Sequence, residues 1–404
     1  MKPLGTLLEA YRHISPPGTL DLIYKLGEKL QGRSMLHVNS TKMGGGVAEM
    51  LHRLVPMFRE LGIEARWEII TGTPLFFKTT KSFHNALQGD EALLTDAMFE
   101  EYRRVNEDNA ARLDLSADMV VIHDPQPAAL IGHKAEGKKW LWRCHIDISR
   151  PLRKVWHFMK PYISGYDGAI FSLPSFAQRL KIPQYLVYPS IDPLSDKNRE
   201  LEPEEIEAVK EEFDLTDDKP IILQVSRFDK FKDPVGLIEA YKIVRTHQDC
   251  RLVLAGGGAS DDPEGEEVLA RVREEAAKDE DILVLDLPPD ANLAINALQR
   301  SAAIIVQKSV KEGFGLTVAE GMWKGKPVIG GAVGGIVAQI VYGLTGYTVN
   351  SIEGCAYRIR SLLNNPDMAR KLGEDAKEYT RKNFLITRHL IDYLSLMSLM
   401  MGLR

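Results

Sequence analysis

Ser34-Met-Leu-His-Val38, the turn Gly44-Gly45-Gly46, and then Val47 to Leu61 with Gly62 behind it form one unit: a short apolar run, a glycine turn, and a segment with apolar residues at helical spacing. Such a stretch reads as a buried strand, a tight connection and a helix closed by a glycine cap. The pattern recurs. Apolar runs at Ala65–Ile70, Met119–His123, Trp140–Cys144, Gly168–Phe171 and Tyr185–Tyr188 predict further strands, with amphipathic segments between several of them. Strands alternating with helices imply parallel pairing, because a crossover of helix length is needed to start a parallel neighbour.

A charged, proline-bearing stretch, Ser195-Asp-Lys-Asn-Arg-Glu-Leu-Glu-Pro-Glu-Glu205, interrupts the alternation and reads as a linker running into a polar helix. The alternation then resumes. Strands are expected at Pro220–Ser226, Arg251–Ala255, Asp281–Leu285, Ala303–Gln307 and Pro327–Ile329, with helices at Asp233–His247, Gly265–Lys278, Ala291–Ala302 and from Leu316. The final segment is helical in pattern, with breaks near Pro366, Asn383 and Gly402. The expected fold is α/β, with two Rossmann-like doubly wound domains, residues 1–195 and 196–383, facing a central cleft where a ligand would lie outside the carboxyl ends of the strands.

Composition narrows the function. The chain has 404 residues, 44% of them hydrophobic, and 51 Lys+Arg against 56 Asp+Glu for a net charge of -5. That balance provides no basic block for nucleic acid, whose binding draws on clustered Lys and Arg. Cys144, Cys250 and Cys355 are far apart and lack the spacing of a disulfide framework or a zinc site. The N-terminal residues mix charge into their apolar run, and no stretch reaches ~18 uninterrupted apolar residues. A cytoplasmic protein without stable membrane association is expected.

Three motifs carry chemistry. The first turn lacks the third glycine of G-x-G-x-x-G and the Gly-Lys-Ser/Thr of a phosphate loop, which weakens nicotinamide and Walker-type readings. Its glycines either let a ligand approach the helix N-terminus or serve as a flexible turn. In Val225-Ser226-Arg227-Phe228-Asp229-Lys230-Phe231-Lys232-Asp233-Pro234, Arg227 and Lys232 follow a strand, where a guanidinium and an ammonium can bind a diphosphate. Solvated loop charge is the alternative, and Lys230 reads that way. In Lys311-Glu312-Gly313-Phe314-Gly315-Leu316-Thr317-Val318-Ala319-Glu320, two carboxylates flank a loop-to-helix junction. Glu312 would sit in the loop, the N–H groups of Leu316, Thr317 and Val318 would face an anion, and Glu320 would lie about one turn into the helix. Such an array can hold a sugar, a diphosphate and a ribose along one ligand; otherwise both carboxylates are surface charges. Asp279-Glu280-Asp281 reads as solvated surface rather than a metal site.

The two glutamates with Gly-Phe-Gly between them, the strand-Arg-x-x-x-x-Lys-Asp-Pro loop and the glycine-rich first turn resemble the retaining GT-B glycosyltransferases of family 4, over nearly the whole chain. Trp142-Arg143-Cys144-His145-Ile146-Asp147 and His123-Asp124-Pro125-Gln126-Pro127 are most similar to the trehalose-forming members, which move glucose from a nucleotide donor to free glucose.

The resemblance implies that the N-terminal domain binds the acceptor, that the C-terminal domain binds the nucleotide sugar, and that a helix over about 384–404 packs back on the former. It implies that Glu312, with the backbone of Phe314 and Gly315, binds the donor sugar and that Glu320 binds the ribose. Arg227, Lys232, Leu316, Thr317 and the amides of Gly45 and Gly46 would surround the diphosphate, and Leu287 would meet the base. His145 would touch the transferred glucose, and His123, Asp124, Gln126 and Arg143 would hold the acceptor. Glu312, Arg227, Lys232 and His145 would form the catalytic set. The implied reaction joins UDP-, ADP- or GDP-glucose to glucose, reversibly, giving α,α-trehalose and a nucleoside diphosphate. No cofactor is required, a divalent cation would at most stimulate, and a homodimer is compatible. The alternatives are another family 4 transferase with a different sugar, phosphosugar or lipid acceptor, or a non-catalytic sugar-nucleotide sensor; Arg150–Lys160, which could face a membrane in the lipid case, reads instead as an amphipathic helix lining the cleft.

Overall fold

A computed structural model describes residues 7–42, 45–257 and 263–403, the side chains of 263 and 264 excepted, so Gly44 lies outside the described residues. In chain order the main elements are α1 (Thr19–Leu30), β1 (Ser34–Asn39), α2 (Gly45–Glu60), β2 (Glu64–Ile69), α3 (Pro74–Leu87), α4 (Asp96–Arg112), β3 (Met119–His123), β4 (Lys139–Arg143), α5 (Arg153–Ile163), β5 (Gly168–Phe171) and β6 (Gln184–Leu186). There follow α6 (Pro203–Glu212), β7 (Ile221–Val225), α7 (Pro234–Arg245), β8 (Arg251–Gly256), α8 (Pro263–Ala276), β9 (Ile282–Asp286), α9 (Asn292–Ser301), β10 (Ile304–Gln307), α10 (Leu316–Trp323), β11 (Val328–Gly331), α11 (Ile336–Gln339), β12 (Tyr347–Val349), α12 (Ile352–Leu363), α13 (Pro366–Asn383) and α14 (Ile386–Met400). They divide into two compact units, Met1–Ser190 with Ile386–Arg404, and Ile191–Leu385.

The N-terminal unit holds a six-stranded sheet in the order β2-β1-β3-β4-β5-β6, with every pair parallel. Its inner strands are buried along nearly their whole length and mostly apolar, because crossover segments cover both faces. The chain moves one way from β1 to β2 and the other way from β3 onward. The strand order therefore reverses between β1 and β3, and the loops leaving those two strands diverge there.

The final helix completes this unit. Leu390, Leu394 and Met397 of α14 are buried, as are Leu20, Ile23 and Leu30 of α1 against which it packs. The Ser15 and Thr387 hydroxyls hydrogen-bond at 2.8 Å, and His389 Nδ1 meets Ser190 Oγ at 2.9 Å.

In the C-terminal unit the sheet order is β12-β11-β10-β7-β8-β9, again all parallel. Read from β9, this is third, second, first, fourth, fifth, sixth: the Rossmann order, whose switch point lies between β7 and β10. Caps set the helices at the working end. Pro234 opens α7 behind Asp233, which adopts a left-handed conformation (φ 48°) and accepts from the Gly236 N–H at 3.1 Å. The doubly wound α/β architecture expected from the alternation is present in both units. Edge strands depart from it: β6 lies at Gln184–Leu186 rather than Tyr185–Tyr188, and the three-residue β12 carries no apolar run long enough to signal a strand.

Helix α10, which carries the second glutamate of the motif, is backed by α13. The approach requires glycine: a Cβ on Gly373 would stand 1.9 Å from the Gly325 carbonyl oxygen. Gly373→Ala is therefore expected to destabilise the C-terminal unit by about 1–3 kcal/mol, the usual cost of overpacking. The check is a lowered urea midpoint; an unchanged one would contradict so close a backbone contact.

Candidate active site

Two loops leave the switch point of the C-terminal sheet. After β7, Asp229 accepts from the amides of Phe231 at 2.9 Å and Lys232 at 3.1 Å, which folds the loop into a single tight turn. Arg227 pairs with Asp229 at 3.0 Å while 64% of its side chain stays exposed. Lys232 is anchored by its own carbonyl, which accepts from Gln224, and its ammonium reaches Glu312 Oε2 at 2.5 Å. Lys308 locks Asp233, the α7 cap, from the β10 side. The turn and the cap thus bring Lys232 of the β7 loop to Glu312 of the β10 loop.

After β10 the chain lies on glycine. A Cβ on Gly334 would stand 1.6 Å from the Glu312 carbonyl oxygen, and one on Gly335 would stand 2.3 Å from the Phe314 Cα. Gln339 donates to the carbonyls of Phe314 (2.6 Å) and Gly315 (3.2 Å). The loop is held backbone to backbone, leaving the Glu312 carboxylate to Lys232 and to the Ser309 hydroxyl at 3.2 Å. Gly315 takes φ 83° and turns the chain into α10. Here one expectation is corrected. The Val318 N–H returns to the Gly315 carbonyl at 3.0 Å, so the amides at the open end of the helix are those of Leu316 and Thr317.

Glu320 sits in the second turn of α10 and is buried, 4% exposed. Gln299 donates to it at 3.3 Å, and Lys197 stands 3.9 Å away. Lys324, one turn on, hydrogen-bonds Asn198 at 3.0 Å; burial pushes its ammonium down to about 7, against the pull of Glu320. Phe314 is buried and packs edge-on against Phe384. Leu287, just past β9, spends its N–H on the Gly256 carbonyl at 2.8 Å.

In the N-terminal unit the strand ends gather a different set. Helix α2 begins at Gly45 (φ 79°), with Gly46 in its first turn, at the end of β1. His123 ends β3 opposite Arg143 of β4. Asp124 follows with φ 63° and ties the two strand ends together: its N–H donates to the Arg143 carbonyl, its carboxylate accepts from the His145 N–H at 2.8 Å, and its carbonyl accepts from Trp142 Nε1 at 2.9 Å. Burial pushes the Asp124 carboxyl up to about 6. Gln126 is half-buried, and its carbonyl accepts from Asn106. Arg143 is placed differently from the other acceptor candidates: fully buried, it donates to the Val187 carbonyl at 2.6 Å and underpins the strand ends.

The reading of Asp279-Glu280-Asp281 as solvated surface is corrected for Asp281, which is 2% exposed. Lys219 at 2.8 Å and Arg245 at 2.7 Å neutralise it, with Arg251 at 3.6 Å. No group of three or more His, Cys, Asp or Glu suited to a metal ion occurs among the described residues.

Residues 37–178 match the family described as "Trehalose synthase, N-terminal domain", and 205–379 match "Glycosyl transferases group 1". A trehalose synthase of Pyrococcus horikoshii is 47% identical over 403 residues, covering 98% of this chain and 97% of that one. The chain belongs to the trehalose synthase family of glycosyltransferases. A trehalose phosphorylase of Pleurotus pulmonarius is also similar, 28% identical over 92% of this chain and 58% of its own length. Among solved structures, the sucrose-phosphate synthase of Thermosynechococcus elongatus superposes with a TM-score of 0.73 at 17% identity, covering 92% of this chain and 100% of that one, which bears out the GT-B fold. This member of the family is accordingly an enzyme. None of its described helices is long and apolar enough to cross a membrane.

Several supporting residues escaped the sequence reading. Gly330-Gly331-Ala332-Val333-Gly334-Gly335, running from the end of β11 into the turn after it, was a legible signal for a second close backbone approach. Gln339, Gln299, Lys324 and His37 carry no local signature, because their partners come from distant segments.

A carboxyl whose pKa rises on folding adds stability while protonated, and that contribution is lost as pH rises from about 4 through about 6. Asn tolerates the left-handed conformation and keeps the oxygen that accepts from His145. The unfolding free energy of Asp124→Asn should therefore gain on the parent between pH 4 and pH 7, by up to about 3 kcal/mol at ~1.4 kcal/mol per pKa unit. Parallel pH profiles would show that Asp124 titrates normally.

Proposed function

We propose that this enzyme transfers glucose, with retention, from a nucleoside diphosphate glucose to free glucose, forming α,α-trehalose and a nucleoside diphosphate in a reversible reaction. The observation that carries the reading is the Lys232–Glu312 pair at the switch point of the C-terminal sheet, beside the open N-terminus of α10. Breaking the bond between the anomeric carbon and the diphosphate leaves negative charge on phosphate oxygen. Arg227, Lys232 and the amides of Leu316 and Thr317 are the groups to receive it, and contacts of this kind are worth about 3–4 kcal/mol each in the transition state. Glu312 would accept from donor sugar hydroxyls and Glu320 from the ribose. On the acceptor side, the anomeric hydroxyl of the second glucose forms the new bond and loses its proton. Half-buried Asp124, Gln126 and His145 at neighbouring strand ends suit a small, hydroxyl-rich sugar whose buried groups need directional partners.

The family supports the same choice, since the relative from Pyrococcus horikoshii is named a trehalose synthase and matches over 97% of its length. A metal is not required in this scheme, because the cations and the helix N-terminus bear the diphosphate charge. A reducing, cytoplasmic setting goes with it, Cys144, Cys250 and Cys355 being buried free thiols.

Incubation of UDP-, ADP- and GDP-glucose with glucose, with and without strong chelator, should give a non-reducing disaccharide in both conditions for at least one donor, read by product chromatography. A reducing product would remove the trehalose assignment, as would turnover only with glucose 1-phosphate or with phosphosugar or lipid acceptors. Loss in chelator that a divalent cation restores would reveal a metal requirement. Glu320→Ala should weaken donor binding by about 1–3 kcal/mol, the cost of unpaired ribose hydroxyls, and leave acceptor binding nearly unchanged; calorimetry with the nucleotide checks it.

A further inference from the structure

The transfer reading gives His145 a place beside the sugar without saying which ring nitrogen carries its proton. The fold answers that through two other histidines. His37 on β1 stands opposite Val121 of β3, so His123, two positions further along β3, shares its face of the sheet. His123 in turn stands opposite Arg143 of β4, and His145 comes two residues later. Three imidazoles thus step diagonally across three adjacent strands. His37 Nδ1 meets His123 Nε2 at 3.0 Å, and His123 Nδ1 meets His145 Nε2 at 2.9 Å, with the last two rings stacked at 10°. His37 and His123 are enclosed, 0% and 2% exposed, while His145 is half-buried at the outer end.

A neutral imidazole has one donor and one acceptor, so each ring in the chain passes its polarity to the next. Only two arrangements exist. In one, protons point outward from His37 through His123, and His145 carries its proton on Nδ1. In the other they point inward, and His145 offers a bare Nδ1. The inner terminus separates them, because His37 Nε2 is buried and finds no hydrogen-bond partner among the described residues. Phe58 and Tyr393 pack around that ring. The inward arrangement would strand an N–H there, whereas the outward one leaves only a bare lone pair. Orphaned buried N–H groups are the rarer of the two defects. All three rings are held neutral by burial, His37 down to about 3, and Arg143 further disfavours a proton on His123 and His145.

We infer that His37 and His123 are positioning residues that fix His145 as the Nδ1–H tautomer, so that it presents a hydrogen-bond donor, not a base, to an oxygen of the sugar. The use of that donor rests on the transferase reading; the tautomer does not.

The test is two-bond 1H–15N correlation on the intact chain with 15N-labelled histidine near pH 7, the His145 signals being those lost in His145→Asn. A protonated Nδ1 and a bare Nε2 on His145 are expected. A protonated Nε2, or an imidazolium, overturns the inference. In His123→Phe the ring that holds Nε2 is gone, and His145 should shift toward the Nε2–H form that free imidazole favours; persistence of Nδ1–H in that folded variant would show that the chain does not set it. The wild-type spectrum decides even if the variant fails to fold. The expected tautomer without sugar transfer would sink the proposed reaction and leave the proton assignment standing.

Discussion

Backbone lies on backbone where the β10 loop crosses the β11 turn, and the placement of Glu312 depends on that contact. Gly331, Gly334 and Gly335 leave no space for a side chain beneath Ser309, Glu312 and Phe314. A loop seated on another loop cannot shift without lifting the main chain, so the backbone of Glu312 is fixed before its carboxylate meets Lys232 and Ser309. The cost of so much glycine is chain entropy, and Gln339 offsets part of it by bonding two carbonyls of the seated loop.

Charge is handled by the same economy of position. Asp281 and Asp233 are each neutralised by cations from other segments, the first from three and the second from Lys308. Pairs of this kind pin the strand ends and loops that carry Lys232 and Glu312, which pair with each other. In the N-terminal unit the equivalent work falls to hydrogen bonds rather than ion pairs: Asp124 bridges β3 and β4 through main-chain bonds, and the imidazoles bond one another.

Much of this was legible in the chain itself, for a physical reason. Inner parallel strands are apolar on both faces, so Met119–His123 and Ile304–Gln307 announce themselves within a residue or so. Edge strands bury less, and so β6 slid along the sequence and β12 gave no signal. The carboxylates and cations of the site were readable because glycines flank them and a strand precedes them. Where the reading stopped was at contacts across long separations. Asp281 looked solvated because its three cations come from other elements, and nothing local shows that Arg143 is enclosed beside Val187. His37 was passed over as part of a strand, since only the register of β1 against β3 brings it to His123.

Helix α14 has a consequence for how the molecule is made. It seals α1 and α2 of the N-terminal unit, yet the ribosome reaches it only after the whole C-terminal unit has been synthesised. The nascent N-terminal unit must therefore wait, with Leu20, Ile23 and Leu30 lacking their final cover, while its neighbour can already close its own core. The unit that is translated first is thus the last to complete its core.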